Sequence, residues 1–171
     1  MDTGGPPQPP ARAWLRQLPG FLALAGLFLW QASYYWPSVI DDAYISFRFA
    51  DMVAAGHGFV FNEGGPRVEG FTNFLWVVAM VPVLWLGGDA LFWAKLLGLA
   101  CALGAMAVAW RFAALLRGKE DAFNLAAPTF LAVNATFAHW ALMGLETPLA
   151  ALLVSATYWR AVSEFDDRRA W

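Results

Sequence analysis

The sequence predicts an all-α fold: a polytopic integral membrane protein with about four transmembrane helices and additional juxtamembrane helices on the outer side. Three observations carry this. Hydrophobic residues make up 60% of the 171 residues and charged residues only 14%, with a mean hydropathy of +0.50. The apolar residues fall in runs long enough to cross a bilayer as helices. Trp (10) and Phe (14) are abundant, as expected where amphipathic rings collect at headgroup depth. The net charge of −2, with no basic stripe, argues against nucleic acid as a partner. The single cysteine, Cys101, excludes a disulfide within the chain and a metal–thiolate cluster. It reads as a small buried apolar residue.

Residues 1–17 read as a cytoplasmic tail, disordered over its Gly/Pro-rich part. Arg12 and Arg16 then precede the apolar run 18–36. As a helix this run reaches ~28 Å, close to the hydrocarbon thickness. It ends in Tyr34, Tyr35 and Trp36 rather than in small residues, so an uncleaved anchor fits better than a signal peptide. The two arginines place the N-terminus inside.

Residues 37–89 hold most of the polar residues between membrane segments. A first amphipathic helix is expected over 41–55, closed by Gly56, and a second over 71–87. The second is short and interrupted by Pro82, so it either crosses or lies in the interface. The charges decide. Arg111, Arg117 and Lys119 follow the run 90–110, and Arg168 and Arg169 follow the last run. Both basic clusters are cytoplasmic only if 71–87 does not cross. The expected topology therefore has a first span at 18–36, an outer loop at 37–89, three more spans within 90–163 (90–110, 122–143 and 148–163), and a cytoplasmic tail at 164–171. The turn 144–147 then faces the same compartment as the outer loop. Thr147 and Pro148 read as N-cap and first residue of the last span, with Glu146 at the membrane surface. Gly98/Ala102 and Ala100/Gly104 are small-residue pairs for close helix packing. Lys95 lies near the outer end of its helix and can snorkel. Asn134 and His139 inside an apolar helix call for interhelical hydrogen bonds or a cavity.

The outer side carries the candidate chemistry. Asp41 and Asp42 are adjacent, so on a helix they point ~100° apart and cannot share one role. Capping of the helix start and catalysis by one of the two are both open on spacing alone. Arg48, two turns on, could pair with a carboxylate or hold an anion. His57 sits between glycines and is a loop histidine or a flexible ligand. Arg67 and Glu69 precede the second helix. Glu69 and Glu146 are expected at the depth of Asp41, where gathered carboxylates could ligate a divalent cation or serve as a base toward a hydroxyl.

Three segments carry a resemblance: 41–50 (DDAYISFRFA), 56–62 (GHGFVFN) and 68–76 (VEGFTNFLW). They resemble the first outer loop of C-type membrane glycosyltransferases, above all the bacterial arabinofuranosyltransferases. The turn 143–148 (MGLETP) resembles the second outer acidic motif of that family. The likeness covers about 15–165 and is specific in 41–76. Such enzymes take a sugar from a polyprenyl-phosphate donor in the bilayer and pass it to an acceptor hydroxyl on a glycan or other molecule. The resemblance thus implies the N-terminal module of a longer enzyme in the bacterial inner membrane, its active site facing outward. It implies Asp41 or Asp42 as general base, with Asp41 the better match. Arg48, His57, Arg67 and Glu146 would bind substrate. Glu69 is the candidate ligand of a divalent cation, Mg²⁺ or Mn²⁺, which some relatives need and others do not. The competing reading is a non-catalytic membrane scaffold, or a degenerate copy that only binds lipid phosphate.

Overall fold

The computed structural model describes residues 13–169, with side chains to residue 165. The expectations for residues 1–12, including Arg12, and for the side chains of Arg168 and Arg169 lie outside the described residues. Among the described residues the secondary structure is entirely helical. The helices are α1 (Leu18–Ser33), α2 (Asp42–Ala54), α3 (Phe74–Trp85), α4 (Ala90–Arg117), α5 (Ala126–Ala132), α6 (Ala135–Trp140) and α7 (Thr147–Arg169), with 3₁₀ turns at Ala13–Gln17 and Ala122–Leu125.

Side-chain contacts fix the directions. Phe21 stacks on Trp110 at 4.9 Å and Trp36 meets Phe92 at 6.1 Å, so α1 and α4 are antiparallel. Phe28 packs on Phe137 and Tyr35 on His139, so the segment 122–140 runs alongside α1 in the same direction. Gly98 faces Pro148 and Gly104 faces Leu152, so α7 descends parallel to α4. The chain thus traverses one bundle four times. One end gathers Trp36, Ser38, the acidic loop and the 144–147 turn. The other gathers Trp14, Trp110 and the basic residues after them.

Two of these helices are long and apolar enough to cross a membrane: Ala13–Ser33, counting its 3₁₀ turn, and Ala90–Arg117. The other two traverses differ from the sequence expectation. The segment 122–143 is not one helix. It breaks at Val133 and Asn134, where the Asn134 side chain caps α6 by accepting from the Phe137 amide at 2.9 Å. Asn134 therefore satisfies a local helix end rather than a neighbouring helix. The last helix extends to Arg169 instead of stopping at 163, with Arg160 and Glu164 paired at 3.0 Å along its face. The expected tail at 164–171 is thus helical as far as it is described. At the other terminus, residues 13–17 are an ordered 3₁₀ turn rather than part of a disordered tail. Trp14 packs edge-on to Trp110, and Gln17 is buried and accepts from the Trp110 indole at 2.8 Å.

Helix α3 measures about 18 Å, too short to cross a hydrocarbon core. Both its ends stay near the acidic end of the bundle: Trp76 bonds to the 144 turn, and Val83 packs on Gly88 ahead of α4.

Helix α4 is the shared spine of two cores. Ala102 and Met106 join Phe28 and Ala32 of α1 and the 132–143 segment. Ala90 and Ala94 join Phe47, Phe49 and Ala50 of α2 and Trp76, Val77 and Met80 of α3. Gly98 lies against the turn after α6, where an added Cβ would stand on the Ala141 carbonyl. Lys95 does not reach out to water. It is 4% exposed and donates to the carbonyls of Trp36 and Ser38, closing the chain between α1 and α2 onto α4.

Candidate functional site

The acidic site is built from three separate stretches. The first is the start of α2. Asp41 is its N-cap, its Oδ1 accepting from the Asp42 amide at 3.1 Å. Residues Ala43, Phe47 and Ala50 are fully or nearly buried, which fixes the rotation of α2 about its axis. That rotation sends Asp42, Ile45 and Ser46 toward a cleft and leaves Asp41 outside its wall. The two carboxylates are therefore divided as adjacent helical residues must be, in the opposite sense to the family match: Asp42 faces the cleft and Asp41 caps.

The second stretch is Glu69 to Asn73, leading into α3. The third is the turn before α7, which presents Leu145 and Glu146. Together they enclose a cleft of about 370 Å³ lined by Asp42, Ser46, Glu69, Thr72, Asn73 and Glu146, among others. It is open at one side and acidic.

Asn73 joins all three stretches. Its Nδ2 donates to Ser46 Oγ at 2.9 Å and to Glu146 Oε2 at 2.8 Å. Ser46 Oγ also lies 3.2 Å from Asn73 Oδ1, within donating distance. Asn73 occupies the N-cap position of α3, yet its side chain makes no capping bond. The group that normally satisfies a helix end is diverted into the cleft, leaving Glu146 held through one oxygen. Beneath this network the Trp76 indole donates to the Gly144 carbonyl at 2.9 Å in a buried contact. Gly144 has φ +82°, and an added Cβ would meet that of Ala43 at 3.1 Å, so only glycine allows the turn to approach α2 so closely.

The other candidates lie apart. Arg48 donates from Nε to the Phe61 carbonyl at 2.9 Å and pairs with Asp51 at 3.2 Å, tying α2 to the glycine-rich loop. His57 approaches Glu63 at 3.9 Å in the same loop. Arg67 is exposed. None of the three lines the cleft, so the expected cationic wall for a phosphate is missing from it. A cation site at Glu69 also fails the test of ligand geometry: among the described residues no three of His, Cys, Asp and Glu are grouped to hold a metal ion. Glu146, the nearest acidic companion in the network, is already engaged by Asn73.

Sequence reasoning missed Ser46, Thr72 and Asn73 as members of the site. One signal was present: an asparagine directly before an apolar run marks a helix start. Nothing in the sequence shows that its side chain turns away from the helix. No protein-family model matches the chain, and comparison with curated proteins and with solved structures gives no match.

Proposed function

We propose that the chain is the N-terminal module of a membrane glycosyltransferase. In this reading it spans the bacterial inner membrane four times with the acidic cleft outside. It passes a sugar, arabinofuranose in the first instance, from a polyprenyl-phosphate donor to an acceptor hydroxyl. The observation that carries the reading is the cleft itself. Two acidic segments far apart in sequence, each resembling an outer motif of that family, form the walls of one cavity at one end of a helical bundle.

The chemistry needs few groups. The acceptor oxygen attacks the anomeric carbon, the bond from that carbon to the phosphate oxygen breaks, and the polyprenyl phosphate leaves with the bonding electrons. The acceptor proton passes to a carboxylate, here Asp42, held at a helix start so that little reorganisation is needed. Glu69, Glu146 and Asn73 would hold sugar hydroxyls. A divalent cation would supply charge to the departing phosphate, but the described residues group no ligand set for one, so no step is drawn through it.

The direct test is a transfer assay. Membranes containing the full-length protein are given a panel of radiolabelled polyprenyl-phosphate sugars, and the release of free polyprenyl phosphate is followed. Consumption of one donor above the level of control membranes is expected; consumption of none would exclude the reading and leave a scaffold.

Topology is tested separately. A cysteine at position 64 should react with an impermeant thiol reagent in intact cells, and one at position 118 should react only after lysis. Labelling of position 118 in intact cells would place the basic end outside and overturn the four-span arrangement.

A further inference from the structure

At the end of the bundle opposite the acidic cleft lies a second cavity, of about 340 Å³, between the ends of α4 and α7. Its lining includes Arg111, Leu115, Lys119, Glu120, Trp159 and Ser163. Three features set it apart from an ordinary charged helix end.

The first is its depth. Trp14, Trp110 and Trp159 sit at this end on three different segments, with Trp14 packed on Trp110 at 6.3 Å. A ring of indoles at one level marks the headgroup layer. The second is an under-used guanidinium. Arg111 is half-buried, with Nη1 2.9 Å from Glu120 Oε1. The N–H is poorly aimed at that oxygen, however, and Nη1 is a buried donor without a true hydrogen bond. The distance shows an attraction and the angle shows that it is not a good bond; a buried donor in that state calls for another acceptor. Glu120 is held in place from its other oxygen by the Gln17 amide at 2.9 Å. The third is the division of labour among the cations. Arg117 is committed to Asp121, at 2.5 and 2.9 Å, and to Asn124. Arg111 and Lys119 remain directed to the cavity, against the one carboxylate of Glu120.

We propose that this cavity binds the phosphodiester headgroup of an anionic phospholipid of the inner leaflet. The phosphate would sit between Arg111 and Lys119, supplying the acceptor that Glu120 does not. The glycerol and first acyl carbons would lie against Leu115 and the Trp159 ring. A basic pocket between helices at the cytoplasmic surface has the polarity for such a lipid, whereas a zwitterionic headgroup brings an ammonium group to the same cations. The site lies at the far end from the acidic cleft and does not depend on the transfer reaction.

The test is native mass spectrometry of the full chain released from mixed micelles of phosphatidylglycerol and phosphatidylcholine. Retention of phosphatidylglycerol over phosphatidylcholine is expected. Lys119→Gln, at an exposed position that will not disturb folding, should lower that preference about fivefold, and Arg111→Gln together with Lys119→Gln about twentyfold. Thermal unfolding of each variant in phosphatidylcholine alone separates loss of lipid from loss of fold. Equal retention of both lipids by the wild type, or an unchanged preference in the double variant, would overturn the proposal. Full displacement of the lipid by millimolar inorganic phosphate would also overturn it, since the ligand would then be a soluble anion.

Discussion

Asp42→Asn should abolish most sugar transfer, with turnover falling about 10²–10⁴-fold, the usual loss when a general base is removed. The amide keeps the size of the side chain and much of its hydrogen bonding but cannot take a proton. Donor binding and folding should persist, because Asp42 is exposed and caps nothing. Asp41→Asn should behave differently. Asparagine is as good an N-cap as aspartate, so the bond to the Asp42 amide survives and turnover should stay within a few-fold of wild type. Asp41→Ala removes that cap and should lower stability by about 1 kcal/mol. The measurement is transfer rate and lipid-donor affinity for the three variants in membranes with saturating acceptor. A dead Asp41→Asn beside an active Asp42→Asn would reverse the assignment and return the base to the residue the family pattern favours. Normal turnover in both would remove the start of α2 from the chemistry.

The second large effect is expected at Lys95, remote from the cleft. Its ammonium group holds the carbonyls of Trp36 and Ser38 and lies 5.4 Å from the Trp36 ring centre. Each hydrogen bond to a charged group contributes about 1.5–3 kcal/mol. Lys95→Met keeps the stem packed and strands both carbonyls, so a loss of about 2–4 kcal/mol is expected after the gain from burying an apolar tip. Ser38 lies three residues before Asp41, so the same change should also loosen the start of α2. Unfolding in mixed micelles measures the first effect, and donor affinity the second. A Lys95→Met protein as stable as wild type would show that the two carbonyls find water and that the clamp is not structural.

How much of this was legible beforehand varies with the kind of evidence each residue offers. The all-helical class follows from composition and run length, which no tertiary contact can alter. The placement of 37–89 and 144–147 at one end came from the basic residues at the other, and the directions of the helices agree with it. The helix break at Asn134 was misread because a polar residue in an apolar run suggests a partner across the bundle. Its side chain instead finds an amide three residues on. The choice between Asp41 and Asp42 was beyond the sequence, because it depends on the rotation of one helix. That rotation is set by Phe47, Ala50 and the α3 residues they meet. The Ser46–Asn73–Glu146 network was equally hidden. Its members are separated by 27 and 73 residues, and a neutral serine and asparagine leave no charge pattern to follow.

The span of that network has a consequence in time. Asn73 and Glu146 are 73 positions apart. At a synthesis rate of ~5–20 residues per second, Glu146 leaves the ribosome roughly 4–15 s after Asn73. Until then α2 and α3 can pack on each other and on the head of α4, but the cleft has only two of its walls. The Trp76 indole and the Asn73 amide still await their acceptors on the turn. Any surveillance protein that reads unpaired polar groups at the membrane surface has those seconds in which to act, and arrival of the 144–147 turn closes the interval.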